Sequence, residues 1–339
     1  MKTVMISRYG DPEVLDLVDV PKVAPKEGEV LVRAHALGVG RPDALMRRGV
    51  YQWLPSLPFS PGNQLAGEVE QLGSGVSDLR ISQRVLVSAR DLPQRGGCYT
   101  EYLAVPADRV YPLPEAVPYE HAVCLANYEV AWAILADMVG PRSPRTALII
   151  GAAGGVGSAL VQLAKRAGMM VIALVGSRAK ASFALSMGAD DVIDRDTDRL
   201  REQVLELTAG AGVDLIIDHA AGPAFTKYIG MLANWGTLVS YGALAGNPTD
   251  DLFTALRDYV SRSPSIRCFS IHGYDGDNAA RRRTVFRLLD LLAKDEIRPA
   301  IARSYPLSKV RDAHKLLEEG AACGRIVMYP DSASLRCSS

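Results

Sequence analysis

Gly151, Gly154 and Gly157 follow an apolar run, Thr146-Ala147-Leu148-Ile149-Ile150, at a spacing of G-x-x-G-x-x-G. A residue without Cβ lets the chain turn sharply. A second lets backbone N–H groups approach an anion, and a third lets a helix pack close to the preceding strand. Gly151, Ala152, Ala153, Gly154, Gly155, Val156 and Gly157 are therefore a candidate cradle for a pyrophosphate. Behind the turn, Val156, Leu160, Leu163, Ala164 and Ala167 share one helical face. The N-terminus of that helix would turn unpaired N–H groups and a positive dipole end toward the anion. A tight strand-to-helix turn that binds nothing can carry the same glycines. The strand before, the helix after and a second strand over Met170–Val175 favour the nucleotide reading.

About 20 residues past the glycines, NAD sites carry a carboxylate for the ribose 2′-OH. This chain reads Gly176-Ser177-Arg178-Ala179-Lys180 there. Ser177, Arg178 and Lys180 offer a hydroxyl and two cations where a 2′-phosphate would sit. The bland alternative is a solvated first turn of the next helix, but cations at a helix N-terminus oppose its dipole. NADP(H) is the cofactor expected.

The elements that must position these groups divide the chain in two, as 339 residues require. Residues 1–120 read as many short strands between Gly and Pro turns: Lys2–Ser7, Leu15–Val20, Glu29–Ala36, Leu65–Leu72, Arg84–Val87 and Tyr99–Val105. Pro42–Arg48 is a short helix candidate. Residues 54–62, with three prolines, must be irregular. From Tyr119 helices and strands alternate. The pattern predicts a helix over Glu120–Met138 stopped by Gly140-Pro141. Strands follow over Thr146–Ile150, Met170–Val175, Asp191–Ile193, Val213–Asp218 and Thr237–Tyr241, with helices between them, one at Gly222–Ala233. That alternation implies an α/β architecture with a doubly wound parallel sheet. Strand Ile266–Ile271, helix Ala280–Lys294, strand Ala300–Ser304, helix Lys309–Glu318 and strand Arg325–Tyr329 close the chain. The last part is expected to return to the first domain.

Lys+Arg and Asp+Glu number 38 each, so formal net charge is +0. That argues against nucleic acid or a membrane surface as a partner held by bulk electrostatics. No apolar run approaches the roughly 20 residues of a membrane span. Cys98, Cys124, Cys268, Cys323 and Cys337 are scattered with no C-x-x-C pair, which argues against a zinc ribbon and for a reduced, cytoplasmic protein. Asp331–Ser339 reads as a polar, mobile tail.

With both halves read, the chain resembles the medium-chain dehydrogenase/reductase superfamily, and within it the zinc-free quinone oxidoreductases of the zeta-crystallin type. The likeness covers residues 1–330. Gly38-Val39-Gly40-Arg41-Pro42-Asp43 resembles the family's G-V-N-x-x-D. Arg48-Gly49-Val50-Tyr51 and Leu57-Pro58-Phe59-Ser60-Pro61-Gly62 resemble R-x-G-x-Y and L-P-x-x-P-G. Gly97–Tyr102 resembles G-x-Y-A-E-Y, and Gly151–Gly157 the turn A-A-G-G-V-G.

The resemblance implies a GroES-like β-rich domain over 1–123, completed by 267–339, and a Rossmann NADP(H)-binding domain over 124–266. It implies hydride transfer from NADPH to a quinone or activated enone. On matching positions Tyr241 and Gly242 would lie near the nicotinamide, and Arg325, at a place often cationic, joins the cofactor set. Gly40, Asp43, Tyr51, Gln64 and Asn127 would form the substrate side. Gly40 replaces the family's Asn, Gln64 its usual Glu, and Val130 a frequent Thr. Zinc-dependent relatives place ligands where this chain has Gly40 and Gly62-Asn63-Gln64, so no catalytic metal is expected.

Tyr51 is either a proton donor or an amphipathic wall beside Trp53 and Phe59. His219, after strand Val213–Asp218, is either a ligand contact or a polar loop residue. A 2-enoyl thioester reductase is the enzymatic alternative, and a non-catalytic NADPH-binding structural or sensing protein the other. Ser265–Ile271 is expected at a sheet edge, where a second copy would cover Ile266–Phe269 and make a homodimer.

Overall fold

The computed structural model describes residues 1–140 and 142–331. Pro141 and the tail from residue 332, Cys337 included, lie outside the described residues. Two compact units divide the chain: Met1–Ala126 with Asp277–Ser339, and Asn127–Gly276.

In the first unit β1 (Lys2–Met5) pairs antiparallel with β2 (Asp16–Asp19). The apolar alternation of β3 (Glu29–Val39) buries Val30, Val32 and Leu37, and the strand becomes the spine of a larger sheet. A short helix α1 (Arg41–Arg47) follows, then β4 (Gln64–Leu72), β5 (Arg84–Ser88), β6 (Tyr102–Pro106) and β7 (Val110–Pro112). No strand was expected at β7. The proline-rich 54–62 segment is irregular and includes a cis Leu57–Pro58 bond.

The single helix expected over Glu120–Met138 is two, α2 (Tyr119–Ala122) and α3 (Leu125–Asp137). The first tightens as it ends, with Cys124 N–H reaching the His121 carbonyl three residues back at 3.0 Å.

The second unit holds β8 (Thr146–Ile150), α4 (Gly155–Arg166), β9 (Met170–Val175), α5 (Arg178–Ser186), β10 (Asp191–Asp194), α6 (Leu200–Leu207), β11 (Val213–Asp218), β12 (Leu232–Ser240), α7 (Leu252–Asp258) and β13 (Ser265–Cys268). The six strands are parallel in the order β10-β9-β8-β11-β12-β13. Their centre is buried on both faces, so β8, β9 and β11 are nearly unbroken apolar runs. The order reverses between β8 and β11, which makes the crevice past their carboxyl ends the ligand position of such folds.

The helix expected at Gly222–Ala233 is a correction. A 3₁₀ segment, Phe225–Met231, runs straight into β12. Gly230 has no Cβ where the Tyr259 hydroxyl packs, 2.6 Å from an ideal Cβ position. Gly222, Pro223 and Gly230 together leave the segment little α-helical propensity. Helix α7 was not anticipated, because its N-cap Asp251 stands in a polar stretch without a clear apolar period. Strand β13 ends at Cys268 rather than Ile271; Phe269 still donates its N–H to Ser240 at 2.8 Å.

The chain then re-enters the first unit with α8 (Asn278–Ala293), β14 (Ile301–Pro306), α9 (Val310–Glu319) and β15 (Arg325–Tyr329). Strand β15 pairs antiparallel with β3 and parallel with β14, giving the order β14-β15-β3-β4-β5-β7 with β6 also on β3. Helix α8 is fixed by a buried ion pair, Arg281 Nη2 to Asp91 Oδ1 at 2.6 Å, whose other carboxylate oxygen accepts from the Tyr111 hydroxyl at 2.9 Å.

Candidate functional site

At the carboxyl end of β8 the chain turns through Gly151, which takes φ +70°. A Cβ on Gly157 would overlap the Gly151 carbonyl oxygen and lie 2.8 Å from Ala152 Cα, so this glycine is demanded by packing. A Cβ on Gly154 would meet only the Gly151 carbonyl, at 3.4 Å. That face of the turn is open. Gly154 is the N-cap of α4 and contributes no side-chain cap. Helix geometry leaves the N–H groups of Gly155, Val156 and Gly157 without intrahelical acceptors. An open face lined by such donors at a helix N-terminus fits a dinucleotide pyrophosphate.

At the end of β9, Ser177 caps α5, its hydroxyl oxygen accepting from Lys180 N–H at 3.3 Å. The hydroxyl hydrogen remains available for donation. Arg178 is exposed beside it. A third cation joins these two. Arg195, just past β10, lays its guanidinium over Gly176, where a Cβ would come within 2.5 Å of Nε and 2.7 Å of Cζ. Its backbone N–H bonds the Val175 carbonyl at 2.9 Å, which fixes it beside the end of β9. The sequence reading missed Arg195. The available signal was its place one residue past the strand neighbouring β9.

On the far side of the switch point lie Tyr241 and Gly242, after β12. Burial, and then the Asp218 carboxyl, push the Tyr241 phenol well above its usual pKa. His219 follows β11 and hydrogen-bonds through Nδ1 to the Ile150 carbonyl at 3.1 Å. Asn127 packs against the start of α4, where a Cβ on Gly155 would overlap its amide. Asn127 therefore stands beside the glycine turn.

Of the other residues expected on the substrate side, Gly40, Asp43 and Gln64 belong to a polar network in the first unit. Asp43 is fully buried; its carboxylate accepts from Gly40 N–H at 2.7 Å and Asn63 Nδ2 at 2.6 Å. Burial pushes its pKa up, while the Arg325 guanidinium and these bonds pull it back. Arg325 donates to Gln64 Oε1 at 3.1 Å. A Cβ on Gly40 would lie 2.6 Å from Arg325 Nη1, and one on Gly38 3.0 Å from Nη2. Gly38, near the end of β3, and Gly40, just past it, thus open the space that the guanidinium fills. Arg325, expected with the cofactor residues, is placed among Gly40, Asp43 and Gln64. Tyr99 extends the network, its hydroxyl 3.2 Å from His314 Nε2. Tyr51 is buried in the core of this unit with its ring 5.5 Å from Trp53.

Asn63 and Gln64, at the zinc-ligand places of metal-dependent relatives, are thus engaged with Asp43 and Arg325. Among the described residues no group of three or more His, Cys, Asp or Glu side chains is placed to hold a metal ion. No described helix is long and apolar enough to cross a membrane. A concavity of about 890 Å³, lined in part by Arg142, Arg145, Trp235 and Arg262, lies at the amino-terminal ends of the parallel strands, opposite the glycine turn.

Residues 26–115 match the alcohol dehydrogenase GroES-like domain, and residues 155–292 the zinc-binding dehydrogenase family. The synaptic vesicle membrane protein VAT-1 homolog of Rattus norvegicus is 29% identical over 346 residues, covering 97% of this chain and 84% of that protein. A mycobacterial quinone oxidoreductase is similar in structure at TM-score 0.82 and 30% identity, over 97% of this chain and 100% of that one. The Escherichia coli quinone oxidoreductase complexed with NADPH gives TM-score 0.84 and 29% identity, over 97% and 100%. This chain belongs to the medium-chain dehydrogenase/reductase superfamily, an oxidoreductase family, on its zinc-free quinone oxidoreductase-like branch.

Proposed function

We infer that the protein is an NADP(H)-dependent oxidoreductase that passes a hydride to a quinone or another activated enone. The observation that carries the reading is the group of cations at the ends of β9 and β10. Arg195 lies over Gly176 with Asp196 3.4 Å from its Nε, Ser177 and Arg178 follow that glycine, Lys180 stands in the first turn of α5, and no carboxylate directly follows β9 to take a ribose 2′-OH. The relatives solved with NADPH support the same cofactor.

The turn Gly151–Gly157 would hold the pyrophosphate through the first N–H groups of α4. The cations would hold the 2′-phosphate, Arg by paired bonds and Lys as a point charge. Tyr241 and Gly242 would border the nicotinamide. Bound NADPH would supply hydride from its C4 carbon. The residues of this chain would place that carbon against the acceptor and keep water out. Gly40, Asp43, Gln64 and Arg325 are proposed for the acceptor side, with Tyr51 as a wall. A quinone suits such a site, because its reduced oxyanion can take a proton from water and needs no dedicated acid.

The test is NADPH oxidation with 1,4-naphthoquinone against a crotonyl thioester, with NADH run beside NADPH. Faster turnover of the quinone with NADPH supports the reading. Preference for the thioester would make the protein an enoyl reductase. Tight NADPH binding without turnover of any acceptor would make it a binding protein.

A further inference from the structure

The residue after β11 connects three strand ends at the switch point. Asp218 ends β11 fully buried, and its carboxylate accepts from the N–H groups of Ala220 at 2.7 Å and Ala221 at 2.9 Å. Those bonds shape a tight turn in which Ala221 is left-handed, at φ +52°. The turn sends the His219 ring back toward β8. Its Nδ1 lies 3.1 Å from the Ile150 carbonyl oxygen. A carbonyl only accepts, so Nδ1 carries the proton and donates.

The same ring fills the space above Gly151. A Cβ there would overlap the imidazole, lying 2.9 Å from Nδ1 and 3.0 Å from Nε2. On the β12 side the Tyr241 ring lies 6.0 Å away, centroid to centroid. The His219 backbone carbonyl stands 2.6 Å from where Gly242 would carry a Cβ.

We propose that His219 is a positioning residue of the dinucleotide site. It clamps the Ile150–Gly151 peptide through Nδ1–H and so fixes the direction in which the turn presents the N–H groups of Gly155, Val156 and Gly157. The proposal rests on the nucleotide reading of that turn. The N–H of that peptide bonds the Leu174 carbonyl at 2.9 Å, and His219 holds its carbonyl; Gly151 adds no side chain to the restraint, and glycine loses the most freedom on ordering. A donor that locks the peptide beforehand lowers the entropy lost when an anion binds. Asp218 acts one step further back, by shaping the turn that carries the imidazole.

The experiment compares wild type with His219→Asn and His219→Leu. Asparagine carries an amide N–H the same number of bonds from Cα as Nδ1; leucine has bulk without a donor. Thermal unfolding establishes that each variant folds. Backbone amide exchange without nucleotide at Gly151, Gly154 and Ser158, whose N–H groups bond the carbonyls of Leu174, Gly151 and Gly154 at 2.9, 3.0 and 2.8 Å, reads the clamp directly. NADPH dissociation constants, from the fluorescence of the bound dihydronicotinamide, read its consequence. We expect exchange about tenfold faster and NADPH about tenfold weaker in His219→Leu, with His219→Asn close to wild type in both.

Wild-type exchange in His219→Leu would overturn the proposal. So would equal loss in both variants, which would assign the effect to ring shape. A wild type that binds no NADPH, with the exchange effect intact, would remove the nucleotide reading and leave the clamp standing as a structural device only.

Discussion

The guanidinium of Arg325 occupies the volume that any side chain on Gly40 would need. An ideal Cβ there falls 2.6 Å from Nη1 and 3.1 Å from Cζ. Gly40→Asn must therefore push Arg325 away from Gln64 and from the buried Asp43. Forcing a side chain into filled, packed space costs about 1–3 kcal/mol. We expect Gly40→Asn to lower stability by an amount in that range, and the double variant with Arg325→Met to lose less than the sum of the two single losses. Urea denaturation of the four proteins measures it. A Gly40→Asn protein as stable as wild type would contradict the packing described.

Arg178→Ala with Lys180→Ala should weaken NADPH and spare NADH. Each charge-assisted contact is worth on the order of 1.5–3 kcal/mol before non-additivity. Arg195→Ala should act in the same direction by a similar amount. Fluorescence titration with both cofactors checks this; equal losses for NADPH and NADH would remove the 2′-phosphate assignment.

The turn glycines should separate binding from folding. Gly154→Val adds a branched side chain to an open face, so NADPH binding should collapse while the thermal midpoint barely moves. Gly157→Val drives a side chain into the Gly151 carbonyl and Ala152, and should lower stability first. Unchanged NADPH affinity in Gly154→Val would mean that the turn is structural.

His314 should make stability depend on acid. It is fully buried, and burial, with the nearby Arg47 charge, lowers its pKa to about 3. The unfolded chain takes up this proton near pH 6.5. Below that pH the unfolded state binds more protons than the folded one, so stability falls from about pH 6.5 down to about pH 3. The loss from this one group is on the order of a few kcal/mol. His314→Leu should flatten that slope between pH 7 and pH 4.5 in urea midpoints. An unchanged slope would show that the group titrates normally.

Strand β13 is the edge of the parallel sheet, with Ile266 and Arg267 half-buried and Cys268 exposed. A two-fold copy of this strand would cover the edge. Wild type is expected to sediment as a dimer at micromolar concentration, and Ile266→Pro, which removes a ladder donor, as a monomer. A monomeric wild type would end this expectation.

The sequence was most informative where a few neighbouring residues decide the structure. Strand β8, the glycine turn and α4 could be read from an apolar run, three glycines and a helical period within 21 residues, 146 to 166. The segment at Phe225–Met231 misled, because its apolar spacing suits a helix while Gly230 packs under Tyr259. The network around Asp43 could not be read locally. Arg325 meets Gln64 across 261 positions, and His219 meets Ile150 across 69. Gly40 looked like a lost polar contact; its role is to make room for a cation that arrives from the other end of the chain.

The return of the chain through β15 also bears on protein synthesis. Strand β3 is made early, yet the strand that pairs with its Leu37–Val39 end is β15, the last strand described. At roughly 5–20 residues per second, β15 leaves the ribosome about 15–60 s after β3. The intervening residues 127–276, which form a compact unit of their own, are complete by then. During that interval the end of β3 carries unpaired N–H and C=O groups of the kind that chaperones shield and neighbouring nascent chains can pair with. The unit whose synthesis starts first is therefore the one completed last.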